Sequence, residues 1–357
     1  MSDHWLPLEL RLEEFASNRK GEFADQHVKY WDRYTSLVHS LQTYVYRYIN
    51  AGLSSLSRSP GFFTDHGELH FDEVVRYAGY LIEGTFDQKD ASLNPYELYL
   101  LLCAIRVHDA GNIDGRDNHA RKAFPILKEY GGDIAKDSAE HRLIADIAQA
   151  HGGRTVSDND KDTIGALLDT TLVGGADARP RLVAAIVRFA DEICEHRSRA
   201  SLHHVNQGNL PPESELFHHY AKCIVGAKPD RLNKSFKLQF DFDVDLLSKK
   251  YKIPQDENGN TEKYLIDDVM DRLDKLNHER VYCNRFLLHS MQTDRIEVSM
   301  YFTKIKSADG IDQNIALERK SFTIKDKGYP ELPADWRKED DVAAITGIDM
   351  AKKEWGK

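Results

Sequence analysis

The stretch that decides the fold is Asn94–Asn112, NPYELYLLLCAIRVHDAGN. Asn94 is a good helix N-cap, Pro95 suits the first helical position, and Glu97 stands three residues after the cap. Leu98, Leu101, Leu102 and Ile105 recur at i, i+3, i+4 and i+7, which predicts one buried stripe. His108 continues that stripe, and Asp109 follows it. An imidazole and a carboxylate are thus carried to the buried end of an apolar helix. A buried carboxylate without a partner is costly. A metal ion between the two side chains is the simplest partner.

Working outward, the flanking segments are also helical in pattern. Upstream, Val28, Trp31, Tyr34, Leu37, Val38, Leu41, Tyr44 and Val45 keep helical spacing, so residues 1–60 read as a helical cap. HFDEVVRYAGYLI at 70–82 predicts a second helix, with Leu69, Val74, Tyr77, Ala78 and Leu81 inward. His66 and His70, four apart, share one face at its start. Downstream, His119 opens a helix behind Asn118, with Pro125 awkward inside it. Asp137 and Glu140 have the spacing of a capping box ahead of HRLIADIAQAHGG. His141 and His151 share a face there, but ten residues separate them by roughly 15 Å, too far for one ion. His151, at the apolar end before Gly152-Gly153, is the better donor. Residues 158–179 read as a helix and a loop. The apolar helix RLVAAIVRFADEIC then carries Asp191 among Phe189, Ala190 and Ile193, where a carboxylate again needs a cation or several hydrogen bonds.

The pattern changes after residue 232. SFKLQFDFDV (235–244) and RIEVSMYFTKI (295–305) alternate strictly, IALERKSFTI is a third strand, and 262–291 reads as one long helix. Strand, helix, strand, strand predicts a small α+β domain with one helix on an antiparallel sheet. The expected organisation is therefore mainly α: a cap at 1–60, a helical domain at 61–205, a connecting segment at 206–232, the α+β domain at 233–330, and a polar tail at 331–357.

Composition narrows the class. The chain has 357 residues and a net charge of -10, which repels nucleic acid and anionic membrane while allowing a local basic cleft. Four scattered cysteines without CxxC spacing read as reduced thiols of a cytosolic protein. No apolar run reaches the ~20 residues of a membrane helix, and the N-terminus lacks a signal-peptide pattern.

Taken in order, His70, His108-Asp109 and Asp191 on successive helices resemble the HD superfamily of metal-dependent phosphohydrolases. HFDEVVRYAGYLI, IRVHDAGN and LVAAIVRFADEIC carry the likeness, over about residues 61–205. The resemblance implies that His70, His108, Asp109 and Asp191 hold one divalent ion. His119 and His151 match the extra histidines with which some members hold a second. Asp109 would also orient the attacking water. His66 has no counterpart in the general pattern and stays open between ligand, proton donor and substrate contact. Imidazole with carboxylate suits Mn, Fe, Co, Ni or Zn over Mg or Ca. Arg116, Lys122, Arg188, Arg197 and Arg199 are candidates for neutralising phosphate charge. Asn112 stands where the superfamily often has Lys, and the Gly-Tyr-Pro of cyclic-di-GMP hydrolases is missing after His151. The implied substrate is a small phosphorylated nucleotide, a dNTP or a cyclic nucleotide. A single-strand nuclease and a non-catalytic sensor or interaction module are the competing readings. Nucleic acid is the less favoured partner. The α+β domain is open to a lid, an effector site or a homo-oligomer contact.

Overall fold

A computed structural model describes residues 5–56, 67–86, 92–155, 159–254, 259–308, 311–325, 340–343 and 345–355. They fall into two compact units, one within 1–61, 66–194 and 281–292, the other within 195–280 and 293–357. The protein is mainly α, with a helical first unit and a sheet in the second.

The first unit contains α1 (Pro7–Asn18), α2 (Tyr30–Leu41), α3 (Arg47–Leu56), α4 (Glu68–Ile82), α5 (Pro95–Val107), α6 (Ala123–Tyr130), α7 (Ser138–Gln149) and α8 (Pro180–Glu192). The helix α5 starts where the sequence puts it. Asn94 Oδ1 accepts from the Glu97 amide at 2.8 Å, and Glu97 Oε2 accepts from the Asn94 amide at 2.9 Å. It is not a one-sided stripe, however: all thirteen of its residues are buried. A helix apolar all round belongs at the centre of a bundle, and α5 packs on α1, α2, α4, α7 and α8.

The N-terminal helices form part of this same unit. Helices α2 and α3 are joined by a π-helical turn, Gln42–Tyr46. Gly52 of α3 lies so close to the turn after His108-Asp109 that a Cβ there would fall 2.1 Å from the Ile113 carbonyl oxygen. Leu69, expected inside, is exposed, and Phe71 occupies the interior instead. His119 opens only a short 3-10 turn, His119–Lys122, and α6 begins at Ala123. Pro125 therefore falls in the first helical turn, where its missing N–H costs little. Asp137 caps α7 by accepting from the Ala139 and Glu140 amides, but Glu140 does not reach back to complete a box. Its carboxylate is buried and takes Arg33, Tyr96 and Tyr99 instead. The expected helix before α8 is replaced by turns and a hairpin of β1 (Thr171–Val173) and β2 (Ala176–Ala178) around Gly174-Gly175, a strong hairpin pair.

The second unit holds α9 (Leu202–Gln207), α10 (Pro212–Cys223), β3 (Ile224–Asp230), β4 (Ser235–Asp243), β5 (Lys250–Lys252), β6 (Glu262–Tyr264), most of α11 (Leu265–Asn284), β7 (Arg295–Ala308) and β8 (Ile311–Lys325). The connecting segment, read as a loop with a short helix, holds the twelve-residue α10 and also the strand β3, and 262–264 are strand before the long helix begins. The four-stranded sheet has the order β3-β4-β7-β8. Its central pair, β4 and β7, is parallel and the other two pairs are antiparallel. The expectation of a purely antiparallel sheet overlooked the helix between these strands, since a strand–helix–strand crossover returns the chain in the same direction. Phe236, Leu238, Phe240 and Phe242 sit in register with Ile296, Val298, Met300 and Phe302, and all eight are buried. The tail is more than a polar appendage: Val342, Ile345 and Met350 are buried, and Trp355 stacks on Phe302 with ring centroids 5.0 Å apart.

Candidate metal centre

Helices α4, α5, α7 and α8 and the turns after α5 bring six side chains together in the first unit. His70 comes from the first turn of α4, and His108 and Asp109 follow the last residue of α5. His119 comes from the short 3-10 turn, His151 from just beyond α7, and Asp191 from the end of α8.

Asp109 lies at the middle. Its Oδ2 is 3.7 Å from His70 Nε2, while its Oδ1 is 3.0 Å from His119 Nε2 and 3.5 Å from His151 Nε2. Asp191 Oδ1 is 3.3 Å from His70 Nε2 and 3.5 Å from His108 Nε2. Two groups of three donors result, His70–His108–Asp109 and Asp109–His119–His151, in each of which all donor atoms lie within 4.8 Å of one another. Asp109 belongs to both.

Three of the imidazoles are held the same way. The Nδ1 atoms of His108, His119 and His151 lie 2.7, 2.8 and 2.6 Å from the carbonyl oxygens of Ile105, Arg116 and Ala148. A carbonyl only accepts, so each Nδ1 carries the proton and each Nε2 lone pair faces the cluster. Backbone carbonyls orient metal-ligating histidines in this manner.

The electrostatics favour a cation. Burial alone would keep His108 neutral, but the carboxylates of Asp191 and Asp109 outweigh it and lift the ring to about 9. Burial would likewise raise Asp191, yet His108 and His70 hold it well below the usual carboxylate range. Burial pushes His151 down, helped by the neighbouring rings of His108 and His119 and opposed by Asp109. The Nε2 of His108 is buried with no hydrogen-bond partner among the described residues. A buried imidazole nitrogen that the carboxylates draw toward positive charge, and that has no such hydrogen-bond partner, suits a divalent metal ion in place of a proton.

The remaining predicted residues separate. Arg116 stands beside the cluster, its Nη1 3.5 Å from Asp109 Oδ2, with 45% of its side chain exposed. Lys122 pairs with Asp114 at 3.1 Å. Arg188 is directed elsewhere: its guanidinium lies 4.6 Å from the Tyr282 ring centroid and donates to Thr163 Oγ1 at 2.9 Å. Arg197 and Arg199 fall in the second unit, where Arg197 lines a cavity of about 110 Å³ with Lys222, Asp241 and Asp243. His66 lies outside the described residues. His141 turns from the cluster, stacking on Phe124 and bonding to its carbonyl oxygen at 2.9 Å.

The supports of the site went unread in the sequence. Arg106, 2% exposed, binds Glu9 Oε1 and Asp72 Oδ1, each at 2.6 Å, and donates through Nε to the Tyr34 hydroxyl at 3.0 Å. Asp72 stands two residues after His70, and Arg106 two before His108, so this cation ties the two donor helices together. A lone arginine in an otherwise apolar helix was the available signal. Glu97 similarly clamps Arg179 through Nε and Nη2, both at 2.7 Å, joining the starts of α5 and α8.

A helical domain whose inward-facing histidines and aspartates can hold metal ions defines the class. The HD-CE family model, an HD-type domain, matches residues 60–275, more than half of the chain, and the protein belongs to the HD-CE family. The match contains all six clustered residues and runs past the expected boundary at 205, through the second unit's first four strands, β3 to β6, and into α11. No curated protein and no solved structure matches the chain. Among the described residues, no helix is long and apolar enough to cross a membrane.

Proposed function

We propose that the protein hydrolyses a phosphoester or phosphoanhydride bond in a small nucleotide-type substrate with one or two divalent first-row ions. The observation that carries this reading is that Asp109 Oδ2 faces His70 while its Oδ1 faces His119 and His151. A carboxylate so placed suits a bridge between two ions, for which His70, His108 and Asp191 supply one set of further donors and His119 and His151 the other. Nitrogen-rich donor sets of this kind favour Mn²⁺, Fe²⁺, Co²⁺, Ni²⁺ or Zn²⁺. When bound, such ions lower the pKa of a coordinated water toward ~7 and polarise a phosphoryl oxygen.

The chain's own groups do the rest. Asp109 and Asp191 orient the histidines they face and keep the pocket's field negative. Arg116 is the exposed cation next to Asp109 and binds a phosphate oxygen of the substrate. Asp191, 26% exposed, and His119, 17% exposed, mark the open side from which a substrate enters. The net charge of -10 supports a small substrate over a polyanion.

The test is phosphate or nucleoside release by the full chain with Mn²⁺, over a panel of nucleotides, cyclic nucleotides and single-stranded oligonucleotides. Turnover of a mononucleotide, lost in Asp109→Asn, is expected. Turnover of oligonucleotides only would replace the small substrate by a nucleic acid. Metal-loaded protein without any turnover would refute hydrolysis.

A further inference from the structure

His151 has a structural weakness that its neighbours correct. The last residue of α7 is Gln149, so His151 lies on backbone beyond the helix. The last carbonyls of a helix have no partner within it and need one from outside. The Ala150 carbonyl oxygen finds one in Thr163 Oγ1 at 2.8 Å. Thr163 is itself held from a distant part of the chain. Tyr282 donates its hydroxyl to Asp162 Oδ1 at 2.8 Å and accepts from the Ile164 amide at 2.9 Å. The two anchors bracket Thr163. The Tyr282 ring also carries the Arg188 guanidinium, which in turn donates to Thr163 Oγ1. One aromatic residue thus fixes the loop before, after and above the threonine that ends α7.

We infer that Tyr282 is a positioning residue for the His119–His151 half of the metal centre, acting through Asp162, Thr163 and Arg188 on the backbone that bears His151. Tyr282 lies beyond residue 275, outside the stretch matched by the family. Beyond the neighbouring Arg285 and Phe286, its partners are the loop 162–164 and Arg188 of α8, and none of its described contacts is to a clustered donor. The His70–His108–Asp191 half hangs on α4, α5 and α8, whose ends are fixed by other contacts, among them Arg106 with Asp72 and Glu97 with Arg179. Because Glu97 and Arg179 pin the start of α8 independently, loss of Tyr282 loosens the His119–His151 half more than the other.

This inference rests on the two-ion reading, and the experiment keeps the two apart. The full chain, stripped of metal, is titrated with Mn²⁺ by calorimetry, as the unaltered protein and as Tyr282→Phe, Tyr282→Leu and Thr163→Val. Residues that orient metal ligands cost roughly 10- to 100-fold in affinity when removed. Acting at one further remove, Tyr282→Leu is expected to weaken the second binding step roughly tenfold and to leave the first within about twofold. Tyr282→Phe, which keeps the ring under Arg188, falls between. Thr163→Val reproduces the loss without altering α11, and so answers for Tyr282→Leu if that variant does not fold. Two binding steps that are unchanged in Tyr282→Leu and Thr163→Val, or equally weakened, would overturn the inference alone. A single binding step, or no Mn²⁺ uptake, in the unaltered protein would overturn the two-ion reading and this inference with it.

Discussion

Replacing Arg106 by Met tests how the donor helices are held. The guanidinium is 2% exposed and the carboxylate of Glu9 1%, whereas Asp72 keeps 32% of its side chain in solvent. Without Arg106, Asp72 can hydrate where it stands, but Glu9 cannot. Its remaining partners are the Tyr34 hydroxyl and, on Oε2, the Leu6 amide at 2.7 Å, neither of which carries charge. Removing one member of a buried pair costs about 3–5 kcal/mol, because the other is left buried and charged. Against the usual 5–15 kcal/mol of total stability this is a large share. For a unit of this size, 1 kcal/mol moves Tm by about 2–4 °C, so a fall of roughly 6–20 °C is expected in a thermal melt. Adding Glu9→Gln removes the stranded charge and keeps an acceptor for Tyr34, and should recover about half of the loss or more. Mn²⁺ affinity should fall in Arg106→Met, because Asp72 and Arg106 set the spacing of His70 from His108. A single variant melting within about 2 °C of the unaltered protein would refute the argument, as would a double variant less stable than the single.

The other expectations are more local. Arg116→Ala removes the cation beside Asp109, and since a hydrogen bond to a charged group is worth about 1.5–3 kcal/mol, kcat/KM should fall roughly 10- to 100-fold with metal content unchanged; an unaltered kcat/KM would remove Arg116 from substrate binding. Gly52→Ala pushes a methyl into the Ile113 carbonyl and should cost about 1–3 kcal/mol in a denaturant titration, with weaker Mn²⁺ binding, whereas a neutral result would show that α3 can retreat. Burial, with Lys222 and Lys249 nearby, holds His219 down at about 4. Its unfolded value is ~6.5, so it stabilises the fold fully above pH ~6.5, and that contribution of up to about 3 kcal/mol is lost as pH falls from there toward 4. His219→Phe should flatten the stability profile across pH 4–6.5; an unchanged slope would place the acid sensitivity elsewhere.

Much of the site was legible because its signals are local. The Asn94–Glu97 cap and the apolar run behind it define α5, and the chain position of His108-Asp109 follows from counting turns. The order of the donors along the chain was readable too. What escaped is what depends on pairing at a distance. Arg106 meets Glu9 across 97 residues and Tyr282 meets Asp162 across 120, and no spacing rule connects them. The parallel pairing of β4 with β7 is a property of the crossover, not of either strand's alternation. Residues 206–232 suggest only a short helix in a loop, because Pro211, Pro212 and Gly226 look like loop punctuation; the strand β3 is hidden there, and Pro212 in fact sits at the first position of α10, where proline is tolerated. The N-terminal helices read only as a cap on the next domain, since their aromatic face gives no hint of which helix it covers. Tyr34 of that face accepts from Arg106 Nε at 3.0 Å, so part of it braces α5 itself.

The central claim is that Asp109 stands between two bound cations. Anomalous diffraction at the manganese edge, from crystals of the full chain equilibrated with Mn²⁺, measures this directly. Two peaks flanking the Asp109 carboxylate, roughly 3.5–4 Å apart, are expected, one reached by His70, His108 and Asp191 and the other by His119 and His151. A map with one peak or none at Asp109, despite Mn²⁺ in the crystal, would contradict the account.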